Sequence, residues 1–492
     1  METTYKHYDV VIIGGGVVGC AIARELSRYK INIAVLEKEA DVGWGISCRN
    51  SGVIHAGFNY EPETLRAQLC LEGNNSFSQL CQELDVPYKK IGKLVVAQKE
   101  EEIKELKKLK KQGEKNQVKG LKIINSNALK KMEPNVKGIA ALYSPNTAIT
   151  SPYLLTIALA ENALGNGVKF FLNTEVTGID KDRSVFRVTT NKENFTAAYV
   201  VNSAGVYSDR ISRMAGAEKY QIYPCRGEYY VLDKNASWLV DHLVYPVPQA
   251  SSGGLGVHIT PTIDGNILLG PSNEYIKKRK NFSSTFKVMK MLTAESRDFI
   301  PSISSRDVIR SYSGIRAKQA PSSEGGFWDF TIKESKVVDN FINLVGIESP
   351  GLTAAQPIAK KVVDIIDEKE KLKLNCKFTP FRKGILRFEE QEEETKKALI
   401  EKDPDYGEII CRCEQVTKKE ILEAIDNPLG ARDLISIKYR SRAMMGRCQG
   451  GYCLTRIIEL LREKYDISPQ DITLKGNHSS LLTGYRSDEV KI

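Results

Sequence analysis

The sequence has no long hydrophobic run, no internal repeat and no low-complexity tract, and it is poor in histidine, tryptophan and excess charge. Each absence excludes something. The most apolar stretch near the start, residues 10–23, is short and carries four glycines, whereas a membrane-spanning helix needs about 20 mostly apolar residues. Residues 1–9 are polar, with no apolar stretch before the first motif. No secretory leader is therefore expected, and the cytoplasm is the expected compartment, with peripheral membrane contact left open. Lysine plus arginine is 71 and aspartate plus glutamate 61, a net charge of +10. That mild bias suits an anionic substrate, a phosphate-bearing cofactor or an acidic partner, and is too dilute to point to nucleic acid. The lysine-rich stretch 104–115 lacks interleaved aromatics and reads as a solvated helix face.

What is present is ordinary for a globular chain: 492 residues, 41% apolar and 27% charged, enough for about three domains or two large ones. Residues 9–13 form a short apolar run, the first strand, leading into Gly14-Gly15-Gly16-Val17-Val18-Gly19. Residues 20–29 read as a helix, residues 33–36 as a second strand, and Glu37 follows 23 residues after Gly14. Strand, G-x-G-x-x-G, helix, strand and acid in that order describe a dinucleotide site. The glycines permit a tight turn and close backbone approach to a pyrophosphate at the helix N-terminus, and the carboxylate meets a ribose. Two further strands end in small residues, Val200 to Gly205 and Phe341 to Leu352. Three such strand ends suit a long flavin dinucleotide.

The chain resembles the FAD-dependent oxidoreductases of the D-amino-acid-oxidase superfamily, in the branch with glycerol-3-phosphate oxidases and dehydrogenases and L-2-hydroxyglutarate oxidases. The segments that carry the resemblance are Asn50 to Gly57, Gly92 to Val96, Glu133-Pro134-Asn135, Arg226 to Tyr230, Gly314-Ile315-Arg316 and Ser349-Pro350-Gly351-Leu352. It implies an α/β fold: a Rossmann-like FAD-binding domain with an α+β, antiparallel-sheet substrate lobe. The expected division is 1–385 for this oxidoreductase unit, its FAD part discontinuous (about 1–90, 145–215 and 335–375) and its substrate part mainly 216–335. The cofactor-binding residues are then Gly14, Gly16, Gly19, Glu37, Asn50, Ser51, Ala204, Gly205, Gly346, Gly351 and Leu352.

His55 is one of only five histidines. A neutral imidazole there can take a hydroxyl proton while hydride leaves the same carbon for the flavin, and the resemblance places it beside the flavin. The planar guanidinium of Arg316 suits capture of a phosphate or carboxylate, and its counterparts in the family hold the anionic end of the substrate. Ser51 and Ser349 carry over as polar lining. His258 either meets a second substrate oxygen or only packs. The sequence around His258 is closer to the hydroxyglutarate enzymes, whereas Ile347 to Leu352 leans toward the glycerol phosphate ones. Nothing demands covalent flavin attachment through Cys48.

Six of the ten cysteines are scattered, and four cluster near the C-terminus as Cys411-x-Cys413 and Cys448-x₄-Cys453, separated by 34 residues. Four thiolates suit zinc or a [2Fe–2S] cluster. C-x-C is unusual for zinc, and the segment resembles the [2Fe–2S] domains similar to bacterioferritin-associated ferredoxin. Helices are expected at 420–425 and 454–465, a helical linker at 386–404, the cluster domain at 405–470 and a tail at 471–492. A one-electron cluster on a two-electron flavoprotein implies delivery to a redox partner protein, flavoprotein or ferredoxin-like, or to a quinone. The expected activity is therefore an FAD/[2Fe–2S] dehydrogenase of a small anionic 2-hydroxy compound. Glycerol 3-phosphate stands ahead of L-2-hydroxyglutarate. The alternatives are an amine or imino-acid dehydrogenase and a non-catalytic electron-transfer subunit.

Overall fold

Residues 5–13 alternate little and are apolar at Val10, Val11, Ile12 and Ile13, the pattern of a strand buried on both faces. In the computed structural model, which describes residues 5–248, 256–477 and 479–482, Tyr5–Ile13 is the centre of an eight-stranded sheet. Ile33–Leu36 and Asn194–Asn202 flank it in parallel, with Lys169–Phe171 outside the first and Phe341–Val345 beside the second. Ile13 is in register with both Leu36 and Asn202, so the strands end in line and open a crevice at their carboxyl ends, where ligands bind in such sheets. Helices Val17–Leu26, Pro152–Gly165 and Ala355–Glu370 cover one face through Ile22, Leu26, Leu155, Leu159, Ile358 and Val362. The hairpin Val176–Asp182 with Val185–Thr190 extends the sheet by pairing antiparallel with Asn194–Asn202, and its Ile179, Phe186 and Val188 pack with Val11, Ala34 and Val200.

The second sheet has nine strands and is mostly antiparallel. Tyr223–Leu232 pairs along its length with Val308–Lys318, and His258–Pro261, Ile267–Gly270 and Leu243–Pro246 continue it. The sheet reaches outside 216–335: Lys93–Ala97 adds in parallel to Leu243–Pro246, followed by Ala140–Ser144 and Lys122–Asn125. Lys93–Ala97 is fully buried, which explains why it reads as an apolar run in sequence but carries no sign of its partner.

After residue 385 the connector is a 3₁₀ turn, Phe388–Glu390, and a helix, Glu393–Lys402, in place of one continuous helix. The last module has a two-stranded hairpin, Ile409–Cys411 with Val416–Thr417, and helices Lys418–Ile425, Leu434–Ser441 and Leu454–Tyr465 around Ile421, Leu434, Ile437, Ile457 and Leu461. Thr417 and Glu420 cap the first of these helices reciprocally. The module is docked on the oxidoreductase unit. Arg440 pairs with Asp41, both buried (2.5 and 3.1 Å), and Arg442 bridges Asp264 (2.5 Å) and Glu414 (2.9 Å). Among the described residues no helix is long and apolar enough to cross a membrane.

Candidate active site and cluster site

The crevice opens into a cavity of about 1070 Å³ that runs between the two sheets. Gly14, at φ +106°, begins it, and a Cβ there would lie 2.7 Å from the Ser203 carbonyl oxygen. Gly16, Val17 and Val18 line the cavity at the start of the first helix. Gly19 does not line it. A Cβ on Gly19 would lie 2.0 Å from the Gly14 oxygen, so its part is close packing of helix on turn. Glu37 accepts from Gly15 N (2.7 Å) and Glu39 N (2.9 Å). Burial pushes its carboxyl up to about 7 against those two bonds.

The loop 39–50 forms the next wall, and sequence reasoning found only its end. Ser47 accepts from Val17 N (2.9 Å), and Asn50 folds the loop by donating to the Ser47 carbonyl and accepting from Gly52 N, both 2.8 Å. Ala204, Gly205, Ser51, Gly351 and Leu352 line the cavity. Gly346 stands outside the lining. At φ +73° its Cα faces the Gln319 side chain, 2.3 Å from an added Cβ, which makes it a turn glycine. Cys48 also lies outside the lining, packed on Gly43, with burial pushing its thiol up to about 12.

The residues present fit FAD. The cavity is lined by glycines at one end, and Trp44 Nε1 and Arg49 Nε on its lining are buried with no hydrogen-bond partner among the described residues. Those are donors awaiting acceptors.

At the far end the structure gathers His55, Ser349, Arg316 and His258 from separate segments around one space. His55 is fixed through its backbone: its N donates to Thr353 Oγ1 (3.0 Å), and its carbonyl accepts from Asn74 (3.1 Å) and the Cys70 thiol (3.3 Å). Its Nδ1 is sealed from solvent. Its Nε2 lies 3.3 Å from Ser349 Oγ, which in turn lies 3.3 Å from the Tyr60 hydroxyl. Burial, helped by the Lys93 ammonium, pushes the imidazole down to about 3, so it is neutral at physiological pH. Arg316 is held by Ser272 O and Asn273 Oδ1, each at 3.0 Å. Burial opposes its charge, but Cys225, Tyr229 and Glu348 outweigh burial. The His258 ring stacks on Tyr245, 3.5 Å between centroids and 13° apart.

Tyr60, Tyr245, Lys318 and Glu348 line this end and were not anticipated. Glu348 pairs with buried Arg66 (3.4 Å), which also donates to the Ser349 carbonyl. The pair lies 282 positions apart in sequence, and no local pattern announces it. Tyr229, also on the lining, stacks on Tyr312 (4.7 Å, 8°). Tyr439 of the last module stacks on Tyr153 (5.0 Å, 15°).

The four C-terminal cysteines come together as two facing pairs, Cys411 with Cys453 and Cys413 with Cys448. Contact with Cys453 pushes the Cys411 thiol down to about 6, and backbone N–H groups of Met444 and Glu414 reinforce this. Gly446 lies so close to Cys413 that a Cβ would come within 2.4 Å of the Cys413 Cβ. Two thiol pairs ringed by amides fit a binuclear cluster, whose sulfurs accept such hydrogen bonds, better than a tetrahedral zinc ion. Cys411 and Cys453 are buried, whereas Cys413 and Cys448 are exposed.

Comparison with known proteins agrees with both sites. Residues 409–463 match the BFD-like [2Fe-2S] binding domain, which sets zinc aside. The chain is 41% identical over 489 residues to glycerol 3-phosphate dehydrogenase of Caloramator mitchellensis, covering 98% of this chain and 100% of that one. It is 33% identical over 416 residues to the mitochondrial L-2-hydroxyglutarate dehydrogenase of Homo sapiens, covering 74% of this chain and 90% of the other. The FAD-bound L-alpha-glycerophosphate oxidase of Mycoplasma pneumoniae superposes with a TM-score of 0.72 at 30% identity, covering 77% of this chain and 98% of that one. Residues 9–365 match the FAD dependent oxidoreductase family, and with that match over most of its length the chain belongs to the FAD dependent oxidoreductases, with a [2Fe–2S] domain at its C-terminal end.

Proposed function

We propose that this oxidoreductase is a dehydrogenase of glycerol 3-phosphate that passes electrons to a separate redox partner. The observation that supports the reading is that His55, kept neutral, and Arg316, kept charged, line the same cavity. The near full-length likeness to a glycerol 3-phosphate dehydrogenase supports the substrate. In this reading Arg316 binds the phosphate, and Ser349 and Tyr60 orient the reacting hydroxyl. His55 takes its proton at Nε2, the ring nitrogen that Ser349 reaches. When bound, FAD supplies the hydride acceptor and the cluster a one-electron carrier.

L-2-Hydroxyglutarate is the second reading, favoured by relatives named for that activity. A carboxylate would take the place of the phosphate on Arg316, with His258 near the other end. The scattered free thiols suit a reducing compartment, and we place the protein in the cytoplasm. The domain division we propose is 1–385, the connector 386–404 and the cluster domain from 405.

Anaerobic bleaching of the flavin by glycerol 3-phosphate, L-2-hydroxyglutarate, glycine and proline tests the substrate without any partner. Bleaching by glycerol 3-phosphate alone is expected; bleaching only by the amino acids would overturn an alcohol substrate. Cys448→Ser tests the exit. The paramagnetic signal of the reduced cluster should vanish and turnover with the natural acceptor should collapse, while bleaching by substrate survives. Circular dichroism accompanies the variant, because metal binding contributes to the folding of so small a module.

A further inference from the structure

The chain continues past the last helix of the cluster module and returns to the oxidoreductase unit. Residues 473–476 run back along the start of helix Leu434–Ser441. Leu434 N donates to the Thr473 oxygen (3.1 Å) and Ile435 N to the Leu474 oxygen (3.0 Å). The Asp433 carboxylate receives Gly476 N (2.6 Å) and the Thr473 hydroxyl. This anchoring sets Lys475 over the loop that walls the dinucleotide. Its ammonium lies 5.3 Å from the centre of the Trp44 ring and 5.8 Å from that of Phe282. Gly476 packs against Ala40 and Trp44, and Lys475 lines the same cavity as Gly16, Ser47 and Arg49. Behind the same loop, Arg440 of the module grips Asp41.

The ammonium is placed where an anion is wanted. Burial and the Arg49 guanidinium push it down to about 8, against the opposing pull of Glu39 and Cys48. No ion pair among the described residues engages it. Its neighbours Trp44 and Arg49 each have a buried nitrogen, Nε1 and Nε, with no hydrogen-bond partner among the described residues. Two cations, an unmatched indole N–H and the start of a helix at Gly16 and Val17 together suit a diphosphate.

We propose that Lys475, delivered by the segment that follows the [2Fe–2S] module, contacts the diphosphate of FAD and closes the dinucleotide cavity, so that cofactor retention depends on the docked module. The proposal rests on FAD occupying this cavity. It is independent of which substrate is oxidised.

The test uses the holoenzyme and reads flavin release. In Lys475→Met, FAD should be held about tenfold more weakly on dilution, the effect of losing one charged hydrogen bond, and Lys475→Arg should recover most of it. Displacement of FAD by added ADP and by added adenosine then locates the contact. If Lys475 meets the diphosphate, FAD and ADP are weakened alike and the ADP concentration for half-displacement is unchanged, while that for adenosine falls about tenfold. The substrate concentration that half-saturates flavin bleaching should not move. Wild-type FAD release in Lys475→Met overturns the proposal. So does an equal fall in the ADP and adenosine midpoints, which would put the contact outside the diphosphate. A raised half-saturating substrate concentration with FAD release unchanged also overturns it, because the anion would then be the substrate. Iron content is measured on each variant. Should Lys475→Met lose iron, Lys475→Gln with iron retained takes its place, and wild-type release in that variant counts equally against the proposal.

Discussion

The two ends of the cavity are built by opposite means. At the dinucleotide end the protein omits side chains: a Cβ on Gly14 would strike the Ser203 carbonyl, and one on Gly19 would strike Gly14 and prise the helix from the turn, so backbone lines the start of the cavity. At the substrate end it adds side chains, each from a different segment and each fixed by a neighbour: His55 by Thr353 and Asn74, Arg316 by Ser272 and Asn273, Ser349 through Arg66. The glycine turn that opens the dinucleotide end is contiguous in sequence, because one turn supplies it. A site made of converging side chains need not be. The first end should therefore fail when a methyl group is added, the second when a polar group is removed.

The largest expected effect is at the substrate end. His55→Asn should slow flavin bleaching by substrate about 10²- to 10⁴-fold, the range for a lost general base. Its half-saturating concentration should shift little and FAD content should be unchanged; stopped-flow spectroscopy decides, and a wild-type rate would remove His55 from the chemistry. Next is the added methyl group. Gly19→Ala forces a Cβ to within 2.0 Å of the Gly14 oxygen, and overpacking of this kind costs about 1–3 kcal/mol. It should appear as flavin lost on gel filtration and a lowered melting temperature, whereas Ser349→Ala retains its flavin. If both variants keep FAD equally well, the contrast between the ends is broken.

Arg316→Met should raise the half-saturating substrate concentration about 10- to 100-fold while the saturated rate changes little. The contact it removes is made in ground and transition states alike. Arg316→Lys should restore only part, because a point charge cannot reproduce the planar fork. The smallest effect concerns pH. The folded imidazole of His55 titrates at about 3, below its unfolded value of about 6.5. Between those values the unfolded chain binds the extra proton, so stability contributed by this residue falls as the pH drops through that window. The urea midpoint should accordingly drop less on acidification in His55→Asn than in the wild type. With L-2-hydroxyglutarate, if it is oxidised, no acid limb near pH 6.5 should come from this histidine.

What was legible in the sequence follows the same division. Phe341–Val345 and Leu454–Tyr465 come out with the bounds read from the sequence, and the first strand, the glycine turn and Glu37 fall where expected. Each is a local pattern of apolar spacing or turn chemistry. The C-terminal cysteines were legible because spacing within one small module is itself the signal. The Arg66–Glu348 pair and the partner of Lys93–Ala97 were not, since each joins segments well over a hundred residues apart. Gly19 and Gly346 were recognised as necessary glycines but given the wrong reason. Both are required by packing or a turn, and neither touches the cavity. Sequence shows that a glycine is needed more readily than what approaches it.

The buried pair of Arg440 with Asp41 has a mechanical meaning. Removing one partner of such a pair typically costs about 3–5 kcal/mol, and Arg442 adds a second bolt through Asp264. The cluster module is thus riveted in place. The side of the module open to solvent is the one where Cys413 and Cys448 reach the surface. Lengthening or shortening the connector 386–404 should leave the distance between the two redox sites, and so the internal transfer rate, where it was, and traffic through the protein should be set by how often a partner calls.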